Sequence, residues 1–284
     1  METIHAQVSA ARTRLRDAGI PPDEADLDAR LLAEHVLGWT TERYVADSRS
    51  AVPAAFADRF GALVARRAAR EPFAYIVGRQ EFWGLAFEVT PAVLIPRPET
   101  ELLVEFAIAQ CAPGARLRIA DVGTGTGCVA IAIAGERPAA TIHASDVSGA
   151  ALDVARRNAD RHGVASRIDF ARADLLNGIA GPFDLIVANP PYVAERDRPK
   201  MQPEVVEHEP GLALFAGDTG LDVIGRLLPQ ASARLCPGGT LMFEFGFGQD
   251  EDIERLISST PGLTMTELRP DLAGIPRVAI ATRA

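Results

Sequence analysis

The chain has 284 residues, 48% hydrophobic and 24% charged, which suits a globular protein with a sizeable core in one large domain or two smaller ones. Its net charge of −9 argues against a protein that grips a nucleic-acid backbone through a basic face. Cys111, Cys128 and Cys236 form no close pair and no metal spacing, the histidines are scattered, and neither a signal-peptide core nor a membrane-length apolar run is present, so a reducing, cytoplasmic protein without metal or membrane is expected.

Residues 1–72 read as a small helical domain. Leu27, Leu31, Leu32, Val36 and Leu37 recur at helical spacing, with Gly38 as a stop signal. Phe56, Phe60, Leu63 and Val64 repeat the pattern, and Glu71-Pro72 ends it. Arg66, Arg67 and Arg70, with Arg59 and Arg79 nearby, are expected as a solvated helix face; contact with RNA or an acidic partner is the alternative.

Residues 73–100 form a connector. Phe82, Trp83, Leu85, Phe87 and Val89 surround Gly84 and predict a β-hairpin. The stiff run Leu94-Ile95-Pro96-Arg97-Pro98-Glu99-Thr100 follows. Arg97 is a candidate for the mouth of a site, with an ion pair to Glu99 or Glu101 as the competing reading. Phe106, in the next helix, is expected in the core.

Residues 101–284 alternate strands and helices. Strands are predicted over 117–122, 141–145, 167–171, 183–188, 240–245, 263–268 and 278–281, with helices over 128–134, 150–161, 221–235 and 251–258. This alternation predicts an α/β fold with a doubly wound, mainly parallel seven-stranded sheet.

Asp121-Val122-Gly123-Thr124-Gly125-Thr126-Gly127 joins the first of these strands to a helix. Glycines there let backbone approach a ligand. A nicotinamide fingerprint would need glycine at 128, where Cys128 stands, so the turn fits a nucleoside cofactor without a pyrophosphate. Asp146 ends the next strand, placed to bind ribose hydroxyls or to cap the following helix. Asp174 follows the third strand; it could accept from an adenine amino group, with Leu175 packing on the ring, or cap a helix.

Asn189-Pro190-Pro191-Tyr192 follows the apolar strand 183–188 directly. Two prolines fix φ and remove backbone donors. Asn189 offers a carbonyl acceptor, the Pro190 carbonyl a second one, and Tyr192 a flat ring. Such a set suits a planar NH2 group whose nitrogen turns positive as it reacts. The N6 of adenine and the side-chain amide of glutamine both qualify.

Together these features resemble class I S-adenosylmethionine-dependent methyltransferases. The ordered motifs Glu81-Phe82-Trp83-Gly84-Leu85, Leu94 to Glu101, Asp121 to Gly127, Asn189 to Tyr192, and Glu209-Pro210 with Ala213-Leu214 resemble the bacterial release factor glutamine methyltransferases. Leu27 to Leu32 and His35 to Gly38 match as well. The resemblance implies methylation of the glutamine amide nitrogen in the Gly-Gly-Gln motif of class 1 peptide chain release factors. The donor would be S-adenosylmethionine, and the products N5-methylglutamine and S-adenosylhomocysteine. It implies a cofactor set of Asp121, Gly123, Thr124, Gly125, Thr126, Gly127, Asp146, Asp174, Leu175 and Asn189. Asn189, Pro190 and Tyr192 would serve catalysis, and those residues with Pro191 and Arg97 would hold the substrate. The amino-terminal helices would dock the release factor. The low aromatic content, 6%, and the negative charge weigh against the rival, an N6-adenine methyltransferase on DNA or RNA, so no nucleic-acid substrate is expected.

Overall fold

The computed structural model describes residues 3–284, which divide into two compact units. The first comprises residues up to Gly78 together with Gln202–His208; the second comprises Arg79–Met201 and Glu209–Ala284.

The amino-terminal part of the first unit contains the helices Ile4–Asp17, Pro22–Leu37, Thr41–Asp47, Phe56–Ala68 and Phe73–Val77. Capping explains several of their limits. Thr3 Oγ1 accepts from the Ala6 amide and Thr40 Oγ1 from the Arg43 amide, while Gly38, at φ 64°, closes the second helix. The core gathers Ile4, Val8, Leu15, Leu32, Phe56, Phe60 and Val64, with Phe56 and Phe60 stacked at 5.0 Å. The buried face of Pro22–Leu37 differs from the expected leucine stripe. Ala25, Ala29, Leu32 and Ala33 face inward, whereas Leu27 is 46% exposed. Small side chains let this helix pack closely, and the bulkier leucines take the margins.

The arginines also differ from expectation. Arg67 is only 4% exposed. Its Nε donates to Asp28 Oδ2 at 2.6 Å and its Nη1 to Glu204 Oε1 at 3.0 Å. Arg70 donates to Glu204 Oε2 and to the Gly19 carbonyl, both at 2.6 Å, and Arg66 grips Glu71. These three are therefore partnered within the unit instead of forming a free basic face. Glu204 lies in the short helix Pro203–His208, a segment that the sequence boundaries place with the sheet. Opposite charges at hydrogen-bond distance explain its place.

The second unit opens with the expected hairpin, β1 (Arg79–Phe82) and β2 (Leu85–Glu88). Its two-residue turn, Trp83 at φ 55° and Gly84 at φ 69°, has the positive φ pair that twists paired strands correctly. The main sheet contains β3 (Arg118–Val122), β4 (Thr141–Asp146), β5 (Ile168–Arg172), β6 (Phe183–Ala188), β7 (Leu235–Glu244), β8 (Leu263–Pro270) and β9 (Pro276–Arg283). Their order is β5-β4-β3-β6-β7-β9-β8, with β9 running opposite to the other six. The expected seven-stranded, mainly parallel sheet is present. Alternate residues serve opposite faces. Ile119, Leu185, Val187 and Met242 face a core with helices Glu101–Gln110 and Cys128–Glu136, and Ala120, Ile186, Leu241 and Phe243 face another with Asp222–Arg234 and Asp250–Ser258.

β7 starts five positions before the predicted strand. Phe183 pairs with Leu235, and the register resumes at Leu185 with Thr240. Cys236-Pro237-Gly238-Gly239 looks like a turn in sequence but is taken up as an irregularity inside the strand.

The sheet order sets the position of the site. From β3 the chain runs outward through β4 to β5, then returns to place β6 on the other side of β3. The carboxyl ends of β3 and β6 are adjacent, Val122 beside Ala188. A crevice opens where strand order reverses, and both sequence motifs lie on it.

Candidate active site

A cavity of about 400 Å³ occupies this crevice. Gly123, Gly125 and Gly127 have φ of 74°, 53° and 80°, so side chains at these positions would be strained. A Cβ at Gly127 would also approach Ile131 to 3.0 Å and Ala155 to 3.2 Å, so this glycine lets the helices following β3 and β4 pack closely. The Gly123 and Thr124 amides donate to the Ser145 carbonyl, tying the turn to β4.

Two carboxylates hold the same turn. Asp121 Oδ2 accepts from Thr124 Oγ1 at 2.6 Å and from the Ala130 amide at 3.2 Å. Complete burial pushes its pKa up to about 6, against these two hydrogen bonds. Asp146 accepts from the Gly125 amide on Oδ2 and from the Ser148 amide on Oδ1, each at 2.9 Å. Burial raises its pKa too, with the Ser148 and Gly125 amides opposing. Ser148, not Asp146, caps the next helix, accepting from the Ala151 amide. Each Asp146 oxygen has a second lone pair, so acceptor capacity remains for a diol. Thr126 Oγ1 accepts from the Cys128 amide at the helix start.

Asp174 does not cap a helix; it opens a turn and pairs with Arg226 across the cavity lining. Leu175, at φ 58°, lines the cavity, and its carbonyl accepts from Ser145 Oγ. Arg97 also lines the cavity, but its partner is Glu209, not Glu99 or Glu101. Glu209 also accepts from the Ile95 amide at 3.2 Å, so one buried carboxylate holds the connector. Phe106 packs partly buried against the core, as expected, with the Arg269 guanidinium over its ring.

Asn189 and Pro191 line the cavity. Pro190 is buried, and neither it nor Tyr192 is among the lining residues. The Asn189 Nδ2 donates to Thr100 Oγ1 at 2.9 Å. Thr100 Oγ1 in turn donates to Glu244 Oε2 at 2.8 Å, and Tyr192 Oη donates to Glu244 Oε1 at 2.9 Å. Thr100 is 3% exposed and Glu244 2%. Burial drives the Glu244 carboxyl upward in pKa, against the hydrogen bonds from Thr100 and Tyr192. Burial, and then the Glu244 charge, pushes the Tyr192 phenol upward. Tyr192 therefore has its hydroxyl engaged on the side of Glu244, and its ring packs against the second core.

Sequence reasoning brought the glycine turn, Asp146, Leu175 and Asn189 to one place. It missed Glu244, the role of the Thr100 hydroxyl, and the cavity-lining Val147 and Arg226. Glu244 had one sequence signal, a charge set between Phe243 and Phe245 in an apolar strand.

The cavity suits a nucleoside with a charged tail. It pairs a positive-φ glycine turn with one carboxylate at a strand end, and Val147, Leu175 and Val223 give it apolar walls. Comparison with known proteins fits this donor set. The PrmC N-terminal domain matches residues 8–78, and the methyltransferase small domain matches residues 98–210. A release factor glutamine methyltransferase of Bradyrhizobium diazoefficiens is 42% identical, covering 97% of this chain and 94% of that protein. Proteins of the same name from Cereibacter sphaeroides and Deinococcus radiodurans are 43% and 39% identical, covering 96% and 98% of this chain and 95% and 97% of theirs. Among solved structures, a methyltransferase from Pyrococcus furiosus aligns with a TM-score of 0.53 at 18% identity over 77% of this chain and 98% of that one. The Thermus thermophilus 16S rRNA N2 G1207 methyltransferase, in complex with AdoMet and guanosine, aligns at 0.52 and 18%, covering 72% of this chain and 50% of that one. These two likenesses concern the fold alone. Identity over nearly the full length, with both family domains in order, shows that the chain belongs to the release factor glutamine methyltransferase family.

Proposed function

We propose that this protein methylates the side-chain amide nitrogen of the glutamine in the Gly-Gly-Gln motif of class 1 release factors, in the cytoplasm, using S-adenosylmethionine. One observation carries this reading. The Asn189 carboxamide stands at the cavity with its NH2 already donated to Thr100, leaving Oδ1 as the acceptor for an incoming N–H.

The glycine turn, Asp146 and the Leu175 wall would hold S-adenosylmethionine, with the Asp146 carboxylate accepting from ribose hydroxyls. Asp121 has one oxygen engaged in bracing the turn; the other would face the cationic end of the ligand. When bound, S-adenosylmethionine supplies a methyl group already activated on a sulfonium. The protein's own task is then alignment and exclusion of water. An amide nitrogen is a poor nucleophile because its lone pair is delocalised. As it bonds to carbon it pyramidalises and gains positive charge, and its N–H groups become stronger donors. Asn189 Oδ1 would accept from them, binding that state better than the ground state. No strong base is required, because the cationic nitrogen sheds its proton readily. Arg97 would remain a mouth residue held by Glu209.

Methylation of adenine N6 in nucleic acid uses similar chemistry, but the full-length relatives do not favour it. The test is intact-mass measurement of a release factor incubated with the protein and S-adenosylmethionine. A gain of one methyl, mapped to the glutamine, is expected. Label found in adenine, with none in the release factor, would overturn the proposal.

A further inference from the structure

We infer that Glu244 is a positioning residue, which acts through the Thr100 hydroxyl to fix which end of the Asn189 carboxamide faces the reaction. The inference rests on the functional reading above and assigns a role to Thr100, which lines the cavity, and to Glu244, which does not.

A threonine hydroxyl has one proton. Glu244 Oε2, 2.8 Å away, is the acceptor for it. Toward Asn189, at 2.9 Å, Thr100 Oγ1 can then only accept. The atom facing it must be the amide NH2, and the carbonyl Oδ1 is turned to the other side. A flipped Asn189 would set a carbonyl oxygen against lone pairs and aim an NH2 at the substrate's own NH2. Neither contact is a hydrogen bond. Acceptor direction at Asn189 is thus inherited from a carboxylate two bonds further back.

The same carboxylate binds the Tyr192 hydroxyl through its other oxygen at 2.9 Å. Tyr192 and Asn189 belong to one four-residue motif, so both ends of that motif refer to a single buried group. Pro190 and Pro191 between them restrict φ. Glu244 sits at the last position of β7, beside β6 in the parallel sheet, which makes it a rigid reference. A glutamate of this kind, inserted among Phe243 and Phe245, has no stability argument in its favour.

Four variants test the assignment in release-factor methylation and in NMR of the Asn189 side-chain amide, whose signals are recognised by their loss in N189A. Wild-type protein should show an Asn189 N–H protected from exchange. Thr100→Val should lose that protection and about tenfold in kcat, with S-adenosylmethionine affinity changing much less; Thr100→Ser, which keeps the hydroxyl, should restore both. Glu244→Leu should behave like Thr100→Val although Thr100 is intact, and Glu244→Gln, whose carbonyl can still accept from Thr100, should fall between. In an N189A background these substitutions should have little further effect on kcat. Equal additional losses there, or wild-type kcat in both Thr100→Val and Glu244→Leu, would overturn the inference. If Thr100→Val or Glu244→Leu does not fold, Thr100→Ala supplies the same comparison. Absence of methyl transfer by the wild type would count against the functional reading, whereas an unprotected Asn189 amide in wild type would count against this one.

Discussion

Two buried carboxylates in this molecule are treated in opposite ways. In the helical unit, Glu204 is met by the guanidinium groups of Arg67 and Arg70. In the sheet unit, the hydrogen bonds to Glu244 come from two neutral hydroxyls, Thr100 and Tyr192. The first arrangement balances charge and ties chain segments together. The second hydrogen-bonds the carboxylate without a guanidinium and gives two neighbouring groups a direction. A buried carboxylate met by arginines is read as architecture; one met by hydroxyls that lead to a reaction cavity is read as control of geometry.

The largest expected effect belongs to the arginine cluster. Arg67→Ala leaves Asp28 and one oxygen of Glu204 buried without their main partner, and removing one member of a buried pair costs about 3–5 kcal/mol. Denaturant unfolding should show that loss, and S-adenosylmethionine binding should be retained wherever the protein is folded. A loss below about 1 kcal/mol, the scale of an exposed pair, would remove the contrast with Glu244.

Next comes the site itself. Asn189→Ala should lower turnover by about 10²–10³, the effect of deleting one preorganised hydrogen bond at a developing charge. Stability should scarcely change. Asn189→Asp sharpens the comparison, because it places a second carboxylate beside Thr100, whose single proton can serve only one of the two. Near-wild-type single-turnover rates in both variants would reduce Asn189 to a turn residue.

Asp121 offers a third case, a buried carboxylate held by one hydroxyl and one backbone amide. Its pKa is raised from 3.8 to about 6. A raised folded pKa stabilises below the ordinary value and loses that contribution as pH rises through the folded value. Wild-type stability should therefore fall by about 3 kcal/mol between about pH 4 and pH 7 from this group alone. Asp121→Asn keeps an acceptor for both bonds and should lack that slope. Parallel stability curves for the two proteins would show that the carboxylate is better solvated than its burial implies.

The smallest effect is expected at Asp146. Replacing it with alanine removes a charge-assisted hydrogen bond worth about 1.5–3 kcal/mol, so S-adenosylmethionine affinity should drop roughly ten- to a hundredfold in calorimetry. Part of that loss would come through Gly125, whose amide Asp146 also holds. Unchanged affinity would assign Asp146 to the turn alone.

Legibility followed the range of the forces involved. β6 was readable to the residue because an apolar run stops at Asn189 before two prolines. The glycine turn was readable because its conformations exclude other residues. The start of β7 was not, since Pro237-Gly238-Gly239 has turn chemistry that pairing with β6 overrides. Nor were the partners of Arg67 and Arg97. Arg67 meets Glu204 at a separation of 137 residues and Arg97 meets Glu209 at 112, distances over which local pattern says nothing. Glu244 and Asn189 could be suspected separately, but only tertiary structure puts Thr100 between them.

Glu204 bears on how such proteins can be recombined. The match to the PrmC N-terminal domain ends at residue 78, and the matched methyltransferase small domain runs through residue 210. Yet residues 202–208 complete the helical unit, so a charge encoded in one module neutralises charges encoded in the other. Exchanging the amino-terminal module for a relative's would therefore separate Glu204 from Arg67 and Arg70. A functional chimera should need a two-part graft, carrying the short helix Pro203–His208 along with the amino-terminal residues whose arginines Glu204 pairs with.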